Sequence, residues 1–234
     1  MYRLFGATTA LCLVSSLAIA QNKPEEATFK LHPNPAFLAC LSPSSEAPRA
    51  SVTVKRGDLN DTALIIVKGL KPNLDFDLFT VQRSSLDNDG APVSGFKGFG
   101  LAWYQSDLHS DDNGNAKVVI KTILLDQIFG FDADAVATQT ASNTATPAAT
   151  VLKPTNTFHM GFWFNDPKDA EPCGFNSSKP TPFNGEHRAG PLAMISVPVA
   201  PANLGPLCTS PTNLTGPDDS GADPNDSTVL ACNP

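Results

Sequence analysis

From residue 28 to residue 197, short stretches in which apolar and polar residues alternate recur again and again, with turn residues between them. This pattern constrains the fold most, because a period of two sends successive side chains to opposite faces of a strand. Residues 51–55 set Val52 and Val54 on one face, and residues 62–68 are apolar on both faces, as in a central strand. Residues 75–82 oppose Phe76 and Leu78 to Asp75 and Asp77. Residues 28–32, 99–105, 116–123, 158–165 and 192–197 bring the expected total to about eight strands. Helical periodicity is missing elsewhere; only residues 124–131 read as a short helix.

Asn113-Gly114 is the strongest hairpin signal, since both residues tolerate the positive φ of a type I′ turn. It predicts that residues 99–108 fold against 116–123. Pro72 marks a turn between two strong strands. With 21 prolines and many turns, the expected architecture is all-β: an antiparallel, Greek-key-like β-sandwich, with a closed barrel as the alternative. Residues 133–150, rich in Ala and Thr, read as a flexible insertion. Residues 201–234 lack Lys and Arg, are rich in proline and aspartate, and read as an irregular tail held in part by its cysteines. The expected organisation is therefore a leader over 1–20, a β domain over 21–200 and a tail over 201–234.

The leader is expected from three features. Arg3 supplies a positive n-region, an uncharged apolar stretch follows to Leu17, and Ala18-Ile19-Ala20 offers a cleavage site before Gln21. The stretch is shorter than the roughly 20 residues of a spanning helix, and Leu11 before Cys12 argues against a lipid anchor. The expected location is secreted and extracellular, or periplasmic in a Gram-negative cell. Losing Arg3 with the leader takes the net charge from −7 to −8. That acidity argues against nucleic acid or an anionic membrane as partner, and no later segment is apolar enough to span a bilayer.

Cleavage also removes Cys12 and leaves Cys40, Cys173, Cys208 and Cys232, an even number suited to two disulfides in an exported protein. Of the three connectivities, Cys40–Cys173 with Cys208–Cys232 is expected. Asn60, Asn176, Asn213 and Asn225 each open an N-x-S/T triplet.

The densest cluster of unusual residues is His159-Met160-Gly161-Phe162-Trp163-Phe164-Asn165-Asp166-Pro167. On a strand, Phe158, Met160, Phe162 and Phe164 share a core face, and His159, Gly161 and Trp163 share the other. A glycine between two rings leaves a shallow space for a ligand ring or a metal. The structural alternative, which is preferred, has Gly161 letting a neighbouring loop pass close while His159 hydrogen-bonds to it. Thr181-Pro182-Phe183-Asn184-Gly185-Glu186-His187-Arg188-Ala189-Gly190 reads as an ordered loop over that face. Trp163, His159 and Glu186 are the candidate ligand contacts. His159, His187 and His109 are the candidate ligands of a divalent metal, although no H-x-H or H-E-x-x-H spacing ties any two together. Residues 111–115 and 87–90 offer oxygen ligands for calcium, but Ala116 and Thr122 stand where an EF-hand needs Gly and Glu, so both read as Asx turns.

These two segments, H-x-G-x-W-F-x-D-P from His159 and T-P-F-x-G-E-H-x-A-G from Thr181, resemble a pattern in secreted bacterial proteins of unknown function. The resemblance implies that the two segments form one structural unit, and it brings no activity with it. No G-x-S-x-G, P-loop or dinucleotide fingerprint is present. The preferred expectation is a non-enzymatic binding or scaffold protein for a carbohydrate or another extracellular ligand. A metal-binding protein or metalloenzyme is the second reading, and a cell-surface or matrix component the third.

Overall fold

A computed structural model describes residues 26–96, 98–122, 124, 128–129, 131–132, 154–155, 157–179, 181, 189–199 and 205–208. Among the described residues twelve strands follow one another: β1 (Glu26–Pro33), β2 (Arg49–Lys55), β3 (Asp61–Lys68), β4 (Asp75–Val81), β5 (Leu101–His109), β6 (Asn115–Thr122), β7 (Ile128–Phe129), β8 (Phe131–Asp132), β9 (Pro154–Thr155), β10 (Thr157–Phe164), β11 (Leu192–Ile195) and β12 (Leu207–Cys208). Every alternating segment of the sequence has become a strand. The leader, the insertion over 133–150 and the Cys208–Cys232 pairing lie outside the described residues.

Ten of these strands form an antiparallel sheet in the order β6-β3-β2-β1-β11-β10-β4-β5-β8, with β12 also on β10, and β7 and β9 pair separately. β1 joins its two halves, pairing with β2 from Glu26 to Leu31 and then with β11 through His32 and Pro33. The sheet curls until β5 and β6 come back beside each other, so it is nearly closed and barrel-like. Inside, Val52, Val54, Ile65 and Val67 from one half meet Phe76, Leu78, Met160 and Phe162 from the other. Phe76 and Phe162 cross edge to face at 4.9 Å. Each fully buried ring of this kind contributes roughly 1.5–3 kcal/mol through the water it sheds.

Asn113-Gly114 does make a turn: Gly114 N–H donates to Asp111 O at 2.9 Å, and Asp111 N–H to Asn115 O at 2.7 Å. The strands on either side do not form the expected hairpin. β5 runs antiparallel to β4 and β6 to β3, so the turn carries the chain from one half of the sheet to the other. Pro72 sits at a second crossing of the same kind, with Asn73 at φ 58° completing the turn. The expected helix over 124–131 is also corrected. Ile128 and Phe129 form β7, paired with β9, because a short apolar run suits a strand as well as a helix.

One end of the sheet is closed by two short helical pieces. Asp166 caps a 3-10 helix, Pro167–Cys173, its carboxylate accepting from Lys168 N–H at 2.9 Å, and Pro167 occupies the first helical position, where its missing N–H costs nothing. Cys173 at the end of that helix is disulfide-bonded to Cys40 in α1 (Leu38–Leu41), with Cα atoms 6.0 Å apart. The expected Cys40–Cys173 bridge is therefore present. β12 adds to the start of β10, and Leu207 is buried in the main core, so the domain runs past residue 200.

Candidate functional site

β10 lies in the sheet between β11 and β4, and its inward side chains, Phe158, Met160, Phe162 and Phe164, fill the main core as the alternation requires. Its outward face is buried too. Trp163 is fully buried and His159 is 3 % exposed. Around Trp163 gathers a second apolar cluster of Phe79, Val81, Leu86, Ala102, Ala189, Leu192 and Ile195, with Phe99 and Val197 at its margin. Phe79 and Phe99 each meet the indole edge to face, at 5.5 Å and 5.1 Å. The segments before β5 and around β11 thus cover this half of the sheet and leave the indole no surface to offer a ligand.

His159 has the structural hydrogen bond that the preferred alternative expects, but what closes on Gly161 is the paired strand β11 rather than a loop. In the ladder Gly161 stands between Ile195 of β11 and Phe79 of β4. The Nδ1 of His159 lies 3.0 Å from Ser196 O and 3.1 Å from Ser196 Oγ. A carbonyl can only accept, so Nδ1 carries the proton. Ser196 completes the link, since its N–H donates to Met160 O at 2.9 Å and its Oγ accepts from Met160 N–H at 3.2 Å. Burial holds the imidazole at a pKa of about 4, against the opposing pull of the Ser196 carbonyl. His159 is neutral and committed to this bond at ordinary pH.

The candidate metal set is not assembled by the described residues. His109 is opposite Asp75 on β4, and His159 is opposite Val81 on the same strand. Six residues of β4 therefore separate them, about 20 Å at the rise of an extended chain. His109 is exposed and pairs with Asp75, Nδ1 to Oδ1, at 2.6 Å. Among the described residues no three His, Cys, Asp or Glu side chains stand close enough to hold a metal ion. Both calcium candidates are Asx turns. Asp111 Oδ1 accepts from Asn113 and Asn115 N–H, and Asp87 Oδ1 from Asp89 and Ala91 N–H. The backbone bond from Asn115 holds the Asp111 carboxyl below its ordinary range.

Glu186 and His187 lie outside the described residues, but the two ends of their loop do not. Thr181 N–H donates to Ala189 O at 3.0 Å, which closes the loop at its base. Ala189 packs in the Trp163 cluster, and Gly190 N–H donates to Phe164 O at 2.6 Å. Ala189 and Gly190, at the end of the loop, are thus anchored at the Trp163 corner.

Two surfaces escaped the sequence reading. Beside the second core, Tyr104 is 46 % exposed and donates its hydroxyl to Asp107 Oδ1 at 2.7 Å, while Asn165 Nδ2 donates to Asp77 Oδ1 at 2.9 Å. Burial, that hydroxyl bond and the charges of Asp107 and Asp77 raise the phenol's pKa. The alternation of β4, which sets Asp75 and Asp77 outward, was the available signal. The other surface is the loop between β2 and β3, which has no periodicity to attract notice. No protein-family model, no curated protein and no solved structure matches this chain.

Proposed function

We propose that the chain is an exported binding or scaffold module that performs no chemistry and holds surface loops toward an extracellular ligand such as a carbohydrate. In this reading the two halves joined by β1 act as the layers of a sandwich. The observation that carries it is the fate of the outward face of β10. Trp163 is spent on packing and His159 on its bond to Ser196, so the residues with most chemical capacity serve as structure. What they support is the root of the loop between Thr181 and Ala189, and Glu186 within that loop is the residue proposed to meet the ligand. A Cys40–Cys173 bridge suits a module that works outside the cell.

The test is a glycan array probed with the secreted protein and with Glu186→Ala, beside N-terminal sequencing of the product. The reading expects a chain starting at Gln21 and a bound glycan whose affinity falls at least about tenfold in the variant at an unchanged melting temperature. Retention of residues 1–20, or no glycan bound by either protein, overturns it.

A further inference from the structure

We propose that the outer face of β1, β2, β3 and β6 binds a linear acidic polysaccharide, whose carboxylates meet a frame of lysines. This rests on the reading of the chain as an exported carbohydrate-binding module. It places a second contact on the half of the sheet that does not hold β10.

Charge is divided between the two halves of the sheet. β4, β5, β10 and β11 carry Asp75, Asp77 and Asp107 and neither Lys nor Arg. β1, β2, β3 and β6 carry Lys30, Arg49, Lys55, Lys68, Lys117 and Lys121, all exposed. Each of the six adjoins a buried residue of the core, so the alternation sends all six outward. Only two carboxylates share these strands. Asp61 is buried and accepts from Gly57 and Leu124 N–H, which leaves Glu26 facing six cations. A merely solvated surface mixes both signs. The net charge of −7 conceals this face, because beyond a Debye length of about 10 Å the acidic groups elsewhere are screened.

The register arranges the cations around an uncharged strip. Thr28, Thr53, Leu64 and Val119 form one row across the four strands. The two threonine hydroxyls lie 3.2 Å apart, and Val119 is 54 % exposed. Lys30 and Lys117 end the next row on one side, and Lys55 and Lys121 stand in the row on the other. Each row is about 7 Å away at the rise of a strand. Sugar C–H groups and hydroxyls suit the strip, and the lysines reach over it to carboxylates along the chain. Glu26 already shows the contact, its Oε2 3.4 Å from Lys55 Nζ. Nucleic acid fits less well, since no outward residue of these strands is aromatic and no base could stack.

The experiment measures binding of polygalacturonate to the secreted protein in low salt, with neutral dextran and a DNA duplex as comparisons. Polygalacturonate should bind, dextran should not, and the duplex should bind more weakly. In Lys117→Gln with Lys121→Gln the affinity should fall at least about tenfold and depend less on salt, with an unchanged melting temperature. Lys117→Arg with Lys121→Arg, which keeps both charges, should bind like the parent, and so should Glu186→Ala. No binding, equal binding by the glutamine variant, equal binding of dextran, or tighter binding of the duplex overturns the proposal. So does a salt-sensitive dimer abolished by the glutamine substitutions, which would give this face to the acidic half of a second copy. Failure on polygalacturonate beside a Glu186-dependent glycan on the array sinks this face alone.

Discussion

A β-carbon on Gly161 would lie 3.0 Å from Ile195 Cγ1 and 2.9 Å from Met194 O, so β11 presses against β10 at the one outward position where β10 has no side chain. Phe79 flanks the same glycine from β4, and both neighbours pack in the Trp163 cluster. The Met194 contact is with backbone, which cannot swing aside as a side chain can. Gly161→Ala should therefore cost about 1–3 kcal/mol through overpacking, and Gly161→Val more. Urea unfolding checks this, and an alanine variant as stable as the parent would mean that the outward face of β10 is loosely covered.

His159 predicts the direction of acid sensitivity. Its folded pKa is about 4 and the ordinary imidazole value is 6.5. As pH falls through that interval the unfolded chain takes up a proton that the folded chain refuses, so stability drops. The His159 contribution is fully present above pH 6.5 and is lost by about pH 4, on the order of 3 kcal/mol. Carboxylates add their own pH dependence, so the readout is the difference between the parent and His159→Gln, which keeps a donor for Ser196 O. Unfolding midpoints of the two should converge toward pH 4. Parallel midpoints across the whole interval would show that the imidazole is not held neutral by burial.

The strands were legible because each writes its own period. Alternation in β2, β4 and β10 places Val52, Phe76 and Phe162 inward without reference to any other part of the chain. Pairing is less local. The Asn113-Gly114 turn formed, yet its flanking strands paired elsewhere, β5 along β4 and β6 along β3, because a turn signal fixes the local reversal and not the partner of each strand. The second core was hidden for the same reason. Gly161 announced that something approaches closely, but the alternation of β10 does not say that Phe99 and Ile195 do the covering. The shape of the hairpin loop at residues 56–60 was not legible because it rests on one buried carboxylate, Asp61, and one close backbone approach.

The Cys40–Cys173 bridge spans 133 residues of chain and joins α1 to the helix that follows β10. A loop of that length gives a disulfide a large entropic effect on the unfolded chain, and losing a native bridge of this kind costs roughly 2–5 kcal/mol. The double variant Cys40→Ser with Cys173→Ser should fall by that amount in chemical unfolding. Peptide mapping without reduction should recover residues 40 and 173 in one cross-linked species. A Cys173–Cys208 peptide would contradict the connectivity.

The two tryptophans make the burial of the β10 face directly measurable. Trp163 is fully buried among Phe79 and Phe99, while Trp103 on β5 is 44 % exposed, and the chain has no third indole. An indole sealed in an apolar cluster emits at shorter wavelength and is shielded from an aqueous quencher, and a half-exposed one is not. Trp103→Phe should therefore leave a blue-shifted emission that iodide barely quenches. Trp163→Phe should leave a red-shifted, readily quenched emission and cost stability, because the smaller ring leaves part of the cluster unfilled. The same pair of proteins addresses the ligand question. If a glycan stacked on Trp163, adding it to Trp103→Phe would shift the remaining emission strongly. Contact through the loop alone should leave that emission nearly unchanged while binding is still detected on the array. Strong quenching of Trp163 by iodide in the free protein would mean that the second core opens in solution, and the argument that this face is structural would fall with it.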